Sequence, residues 1–154
     1  MEWSNQLFIL LKVFIAAILS GVVGFERERE DKPAGLRTHM IIGSAATLLI
    51  SVGDLLIYSY ASEEYIVESL RTDPLRIIEA IIVGVSFIGA GTILKSADEL
   101  KIKYLTTSAA LLFSAGIGIA VGLELYYLAV GVSLLALIIN RSFKILSKAI
   151  NKRR

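Results

Sequence analysis

The chain is predicted to be an all-α membrane protein, a bundle of five transmembrane helices, on the strength of three observations. It has 154 residues, enough for one domain, and 55% of them are hydrophobic whereas only 19% are charged. An ordinary soluble domain is about 25% charged. Its mean hydropathy is +0.70, and its apolar residues fall into five long stretches. This composition excludes intrinsic disorder and disfavours a small soluble enzyme.

The five apolar stretches approach the length of about 20 residues that a helix needs to cross a bilayer. The fifth is the shortest, and we expect it to span by continuing to Phe143 while Arg141 reaches the interface. Glu2 stands where a signal peptide needs basic residues, which favours an uncleaved first helix. We expect a transmembrane domain over residues 1–140 and a basic tail over 141–154. The stretches lie at about 7–25, 40–60, 77–94, 105–123 and 125–139.

The distribution of lysine and arginine predicts the orientation. Thirteen of the 16 fall in the first loop, the third loop and the tail, whereas the second loop holds only Arg71 and Arg76. The positive-inside rule then places the N-terminus outside and the C-terminus in the cytoplasm, which requires an odd number of helices. The basic tail is expected to bind anionic lipid. Its position beside the membrane disfavours nucleic acid as a partner.

Several local signals predict where helices begin and end. Asp73 followed by Pro74 is typical of the start of a helix, here the third. A short interfacial helix is expected from Ser62 to Leu70. The segment 122–124 predicts a tight turn that joins the fourth and fifth helices as an antiparallel hairpin.

A dense run of charges follows the first apolar stretch. If the helix continues to Lys32, Arg27 faces Asp31 and Glu28 faces Lys32 at i,i+4 spacing. Each such pair stabilises a helix by only about 0.2–0.5 kcal/mol. The plainest interpretation is therefore a solvated helix end before a Pro-Gly turn.

A sharper interpretation is a polar cluster at the mouth of the bundle. Glu26 and Arg37 flank the first loop and could pair across it. Carboxylates at a membrane boundary could also hold a hard cation such as Mg²⁺. Glu26 and Asp54 are the candidate ligands, although no spacing in the chain defines such a site.

Three ionisable residues fall inside apolar stretches: Lys12, Asp54 and Glu79. Such groups are costly in a membrane and are candidates for function. We expect Lys12 to reach the interface. Glu79 could pair with Arg76 or Lys12, and Asp54 could pair with either of the same two cations. An ion pathway would use the same residues, so both interpretations stay open.

Small residues mark two places for close helix packing. Ser114, Gly118 and Gly122 recur at i,i+4,i+8 and include a GxxxG motif, which lets helices approach closely. Whether they pack within one chain or between chains stays open. The segment 84–92 is also rich in glycine. It predicts either tight packing or a locally broken helix that exposes its backbone.

Four sequence blocks, at 24–39, 73–77, 87–93 and 105–109, together resemble the signature of the MgtC/SapB family of membrane proteins. The first reads GFERE followed by KPAGLRTH. The chain resembles a short form that lacks the soluble C-terminal domain of larger members. Under the predicted topology, Asp73 and Arg76 lie outside. The other matched residues form an expected cytoplasmic-face cluster: Glu26, Arg27, Glu28, Lys32, Arg37, Thr38, His39, Gly89, Gly91, Thr106 and Thr107.

The resemblance implies a multi-pass plasma-membrane protein linked to adaptation to low Mg²⁺. In some members it implies restraint of the membrane ATP synthase, and it implies neither enzyme activity nor a cofactor. We therefore expect a role in Mg²⁺ homeostasis through a membrane partner, with a homodimer as a further association.

The alternative is a transporter or channel for Mg²⁺ or another cation. A polar cavity connecting Asp54, Glu79 and Glu26 would favour transport, and a dry, glycine-packed core with a lipid-facing groove would favour partner binding. An enzyme would need a nucleophile beside a base, and only His39 offers an imidazole.

Overall fold

The computed structural model describes residues 3–61, 74–94 and 104–151, and five α-helices run through these ranges. No strand occurs in the described residues, so the predicted all-α class is confirmed. The predicted short helix from Ser62 and the predicted cap Asp73 lie outside them. The helices are α1 (Trp3–Glu28), α2 (Leu36–Ala61), α3 (Pro74–Leu94), α4 (Leu105–Gly122) and α5 (Tyr126–Asn151).

Four of these helices, α1 to α4, are long and apolar enough to cross a membrane. The apolar part of α5 is shorter and covers Tyr126–Arg141. The helix itself continues to Asn151, through the expected boundary between the transmembrane domain and the tail. The fold is that of a multi-pass membrane protein.

Helix α4 is the centre of the bundle. In the described residues it packs against each of the other four helices, whereas α3 contacts only α2 and α4, and α5 contacts only α1 and α4. The apolar span of α4 is 56% buried and that of α3 only 17%. The core therefore lies between α1, α2 and α4, and α3 presents most of its surface outwards.

Glycines bring α2 and α4 into close contact. A Cβ atom at Gly118 would collide with the carbonyl oxygen of Gly43 and lie 2.9 Å from Ala46 Cβ. A Cβ atom at Gly122 would lie 2.8 Å from Ile50 Cβ. The GxxxG motif thus packs inside one chain, which answers the question that the sequence left open.

Helix α1 does not continue to Lys32. Helix α1 ends at Glu28, and Asp31 adopts a left-handed conformation with φ 53°. The N–H groups of Lys32 and Asp31 donate to the carbonyls of Arg27 and Glu28, a bonding pattern that ends a helix. The predicted helical pairs Arg27–Asp31 and Glu28–Lys32 are therefore wrong.

The carboxylate of Glu28 serves the next helix instead. Its Oε2 accepts the backbone N–H of Leu36 at 2.7 Å, which satisfies one of the free donors at the start of α2. Helix α2 accordingly begins at Leu36, before the predicted start of the second apolar stretch at Met40.

The α4–α5 connection uses the same type of helix end. Glu124 has φ 63°, and the N–H of Leu125 donates to the carbonyl of Ala120 at 2.8 Å. The predicted hairpin is confirmed, because α5 packs back on α4. The residue in the left-handed position is a glutamate, for which this conformation is uncommon.

Helix α3 is continuous from Pro74, the predicted start, through its glycine-rich segment. The alternative of a broken helix is therefore wrong. Gly89 packs on α4, since a Cβ atom there would lie 3.2 Å from Ser108 Cβ. Gly84 and Gly91 have no atom within 4 Å of such a Cβ, so they face open space.

Candidate functional site

Four helices bring functional candidates together at one end of the bundle, next to the first loop. Helices α1 and α2 are joined there by residues 29–35. The side-chain amide of Asn140 in α5 donates to Glu26 Oε2 at 2.7 Å. Helix α4 begins at the same end with Thr106 and Thr107. We call this the loop-one end.

Arg27 is buried at the loop-one end. The residue is only 4% exposed. Its Nη2 donates to Thr107 Oγ1 at 3.0 Å and to Thr106 Oγ1 at 3.4 Å. These bonds connect the end of α1 to the start of α4. The structure thus joins Arg27 to two other residues of the expected cytoplasmic-face cluster that are 79 and 80 positions away in the chain.

His39 continues this polar arrangement into α2. Its Nδ1 lies 2.6 Å from Ser114 Oγ, and Ser20 Oγ donates to the carbonyl of Ser114 at 3.5 Å. We call Ser20, Arg27, His39, Thr107 and Ser114 the buried polar cluster. Every member is 4% exposed or less.

Gly24 makes room for the cluster. A Cβ atom at this position would lie 2.7 Å from His39 Cβ and 2.9 Å from Leu36 Cα. Because Gly24 has only a hydrogen in place of a side chain, α1 and α2 approach closely enough to bury His39 beside Arg27. This contact accounts for a glycine and a histidine at the two ends of the first sequence block.

The buried polar cluster holds more polar atoms than it satisfies. His39 Nε2 and Arg27 Nε have no hydrogen-bond partner within the described ranges. The Ser114–His39 contact has the composition of a nucleophile and a base. Both residues are fully buried, however, so the hydroxyl is not exposed at the surface of the described structure.

A second buried cation lies at the opposite end of α1. Lys12 Nζ forms an ion pair with Glu124 Oε1 at 2.8 Å, donates to the carbonyl of Gly122 at 3.4 Å and lies 4.9 Å from the ring centroid of Phe8. The residue is 6% exposed. The expected pairing of Lys12 with Asp54 or Glu79 is therefore wrong.

Glu124 is a functional candidate that the sequence interpretation missed, because it was assigned only to the turn. The signal that could have found it was its position along the membrane normal. A carboxylate at the tip of the α4–α5 hairpin falls at the same end as Lys12 if α1 and α4 are antiparallel neighbours.

The acidic residues considered for cation binding do not meet. Asp54 and Glu79 are exposed, as is Arg76, and the described part of the chain contains no ion pair among them. Glu26 lies at the other end from Asp54, bonded to Asn140 and not to Arg37. The described residues contain no group of three His, Cys, Asp or Glu that could hold a metal ion.

The remaining predicted residues fall into three environments. Lys32 and Arg37 are exposed in or near the first loop, and Thr38 is half-buried. Gly89 lies in the α3–α4 contact, where its carbonyl accepts the hydroxyl of Ser108 at 2.7 Å. Gly91 faces outwards. The structure does not bring Lys32, Arg37 or Gly91 into the buried polar cluster.

An open groove runs along the outside of α1, between α2 and α5. Its volume is about 550 Å³, and its floor is apolar, with Ala17, Gly21 and Leu137 among the lining residues. A charged pocket of about 220 Å³ lined by Glu26, Arg29, Glu30 and Arg141 adjoins it. A smaller cavity of about 150 Å³ lies between α4 and α5 and includes Thr106 and Asn140. Ser20, Arg29 and Asn140 were not singled out by the sequence interpretation.

Comparison with known proteins identifies the family. The chain is 39% identical over 126 residues to SapB of Bacillus subtilis, covering 82% of this chain and 52% of SapB. It is 35% identical over 134 residues to YhiD of Escherichia coli K12, whose name proposes it to be a magnesium transporter, covering 87% of this chain and 60% of YhiD. It is 28% identical over 146 residues to MgtC of Salmonella typhimurium, covering 93% of this chain and 55% of MgtC.

The chain thus spans about half the length of SapB and MgtC. No solved structure matches it significantly. Residues 13–149 match the MgtC family. With both a family match over most of its length and relatives above 30% identity, this chain belongs to the MgtC family.

Proposed function

We propose that this protein is a non-enzymatic membrane protein of MgtC/SapB type that acts in Mg²⁺ homeostasis by binding a membrane partner. Family membership and the name of YhiD support the link to magnesium. The ATP synthase is the proposed partner because the chain resembles a family in which some members restrain that enzyme. The plasma membrane is the proposed location.

One observation carries the choice of partner binding over cation transport. The core between α1, α2 and α4 has a buried cation near each end, Lys12 and Arg27, and is tightly packed by glycine between them. A divalent cation entering at the loop-one end would be repelled by Arg27, because Arg27 has no ion pair in the described residues and charges interact strongly where water is scarce. At the other end the charge of Lys12 is compensated by Glu124, and Gly122 packs closely on Ile50. Asp54 and Glu79, which a pathway would need, are exposed and apart from Glu26.

The absence of catalysis is supported by the burial of the Ser114–His39 pair. Neither residue is accessible, and α1 contacts α2 too closely at Gly24 for a substrate to enter. The pair instead holds α2 against α4 by a 2.6 Å hydrogen bond.

The outer surface of α3 is the proposed contact with the partner. Phe87 is 82% exposed, and Val83 is 68% exposed. Gly84 and Gly91 lie seven positions apart on this surface with open space beyond them, so a partner helix can approach the backbone closely. The loop-one end is proposed to face the cytoplasm, as the distribution of lysine and arginine predicts.

A flux measurement tests the proposal against its alternative, a cation transporter, which the name of YhiD favours. The purified protein is reconstituted in vesicles loaded with a fluorescent Mg²⁺ indicator, with empty vesicles and an ionophore as references. We expect no influx above that of empty vesicles. Influx that is reduced by Asp54→Asn, Glu79→Gln or Glu26→Gln would replace the proposal with transport and place the pathway.

Photo-cross-linking in native membranes tests the partner. A photoreactive amino acid at Phe87 should capture a membrane subunit of the ATP synthase, detected by antibody. The matched control is Val130, which is also exposed and apolar but lies on α5. Equal capture at both positions, or none at either, would contradict the assignment of α3 as the contact surface.

A further inference from the structure

We propose that the groove between α1, α2 and α5 binds one phospholipid whose headgroup carries both a phosphate and an ammonium group, as phosphatidylethanolamine does. This inference is independent of the proposed partner. It follows from the juxtaposition of an apolar groove with a pocket that holds charges of both signs.

The groove has the character of an acyl-chain site. Ile18, Val22 and Phe25 follow one another along its α1 wall, and Leu137 and Met40 contribute from α5 and α2. Ile18, Val22 and Phe25 are 49%, 39% and 55% exposed, so their apolar surface is left open by the chain itself. Gly21 deepens the groove floor, because a Cβ atom there would lie 3.0 Å from Met40 Cγ.

The charged pocket is continuous with this groove. Glu26, Arg29 and Arg141 line both. Glu26 and Arg29 lie at and just after the end of α1, and Arg141 is the last residue of the apolar part of α5. This is the depth at which lipid headgroups are found. Ile18 lies about 12 Å deeper than Glu26 along α1, given a rise of about 1.5 Å per residue. The groove thus runs from headgroup depth into the hydrocarbon region.

The pocket offers separate partners for the two charges of the headgroup. Arg29 and Arg141 present guanidinium groups, which bind phosphate oxygens by paired hydrogen bonds. Arg29 lies 6.0 Å from the ring centroid of Phe25, a residue of the groove wall, and this contact holds it at the groove mouth.

Glu26 supplies the opposite charge for the ammonium group, and Glu30 also lines the pocket. Asn140 donates to Oε2 of Glu26 and so orients that carboxylate in the pocket. A primary ammonium group donates hydrogen bonds to carboxylates, whereas a trimethylammonium group has no N–H to donate. A purely anionic headgroup would face two carboxylates as well as two guanidinium groups. The balance of charges therefore favours phosphatidylethanolamine over both phosphatidylglycerol and phosphatidylcholine.

Native mass spectrometry tests the proposal. The full-length protein in detergent is incubated with equimolar phosphatidylethanolamine, phosphatidylglycerol and phosphatidylcholine, and bound lipids are counted and identified. We expect one phosphatidylethanolamine bound in preference to the other two. Arg141→Gln and Arg29→Gln should each weaken its binding by about tenfold or more, because each removes a charged hydrogen-bond donor.

Two further variants make the test specific. Arg37→Gln removes an exposed arginine at the same end of the bundle but outside the groove, and should leave lipid binding unchanged. Glu26→Gln keeps an oxygen that accepts from Asn140 but removes the charge, and should shift the preference towards phosphatidylglycerol. Thermal unfolding in detergent identifies any variant that is misfolded. If one of the two variants Arg29→Gln and Arg141→Gln is misfolded, the lipid binding of the other tests the proposal.

Several results would overturn the proposal. They are equal binding of the three lipids by the unsubstituted protein, equal losses in Arg37→Gln and in the groove variants, or no change of preference in Glu26→Gln. A photoreactive residue at Leu137 should capture lipid. Capture of a protein there would make the groove a protein-binding surface instead.

Discussion

Lys12 and Arg27 are buried cations on the same helix, and the protein satisfies them in different ways. Lys12 meets a carboxylate, that of Glu124, at 2.8 Å. Arg27 meets two threonine hydroxyls, those of Thr106 and Thr107. In the described residues Arg27 has no ion pair, although glutamates flank it on both sides.

The flanking glutamates are bound elsewhere. Glu26 accepts from Asn140, and Glu28 accepts the N–H of Leu36. The charge of Arg27 is therefore stabilised by neutral groups, whereas that of Lys12 is compensated by an ion pair. The carboxylate of Glu124 is 55% exposed, so its pair with Lys12 is partly hydrated.

This difference shows that the two ends of the core are built on different principles. At the Lys12 end, α1 is joined to the α4–α5 turn by the Lys12–Glu124 ion pair and by the bond from Lys12 to the Gly122 carbonyl. The loop-one end depends on close packing of α1 and α2, which places hydrogen-bonding groups of α4 around Arg27 and His39. We expect the loop-one end to respond strongly to changes in shape, and the Lys12 end to respond to changes in charge.

The largest effect is expected from Gly24→Ala. The added Cβ atom would lie 2.7 Å from His39 Cβ and 2.9 Å from Leu36 Cα, and neither atom belongs to the end of a flexible side chain. Stability should fall by about 2–3 kcal/mol, measured by titration of the detergent-solubilised protein with SDS. This substitution should disrupt the packing of α1 against α2 at the loop-one end and leave the Lys12–Glu124 ion pair intact.

Gly116→Ala is the matched control for Gly24→Ala. Gly116 is in α4, and nothing lies within 4 Å of its added Cβ atom. Stability should rise by up to about 1 kcal/mol, since alanine favours a helix over glycine. Equal stabilities of the two variants would contradict the close contact of α1 with α2.

A smaller loss is expected from Thr107→Val. The substitution preserves the shape of a fully buried side chain but leaves Arg27 without its 3.0 Å hydrogen bond. We expect a loss of about 2 kcal/mol, because the bond involves a charged donor. Thr106→Val should cost less, since Thr106 is exposed and its bond is 3.4 Å long. The reverse order would show that Thr106 is the main partner of Arg27.

The smallest loss is expected from Glu124→Gln. Because the carboxylate is half-exposed, removal of its charge should cost about 0.5–1 kcal/mol, and less at high salt. In a double-mutant cycle with Lys12→Met, the effect of Glu124→Gln should largely vanish. Glu79→Gln, an exposed glutamate outside any described ion pair, should change stability little. An unchanged effect of Glu124→Gln in the Lys12→Met background would contradict the pair.

Local signals in the sequence predicted much of the fold. Pro74 began α3 as expected, and the α4–α5 hairpin formed at its predicted turn. The conditional extension of α1 to Lys32, with its two helical pairs, was wrong because two structures compete for residues 29–32. Helical pairs on an exposed surface stabilise by a few tenths of a kcal/mol, and the capping of α2 by Glu28 outweighs them.

The candidate site was predictable only in part. The matched sequence blocks contained Arg27, His39, Thr106 and Thr107. They did not indicate that Arg27 binds the two threonines. The partner of Lys12 was missed because charge pairing was sought only with Asp54 and Glu79, the acidic residues inside the apolar stretches. Glu124 is distant in the chain and reaches Lys12 only because α1 and α4 are neighbours.

The sequence by itself determined the class of the protein. Apolar stretches of bilayer length, their spacing and the distribution of lysine and arginine are properties of chain segments, and so is the presence of glycine where helices approach. Tertiary structure decided which groups meet. A glycine permits close contact with any helix, and a buried charged group can be satisfied by any suitable hydrogen-bonding or oppositely charged group. Neither therefore indicates in the sequence which residue will be its partner. The packing of α1, α2 and α4 around Gly24 and Gly118 selects those partners, because it brings these backbones close enough to bury Arg27, His39 and Ser114 together.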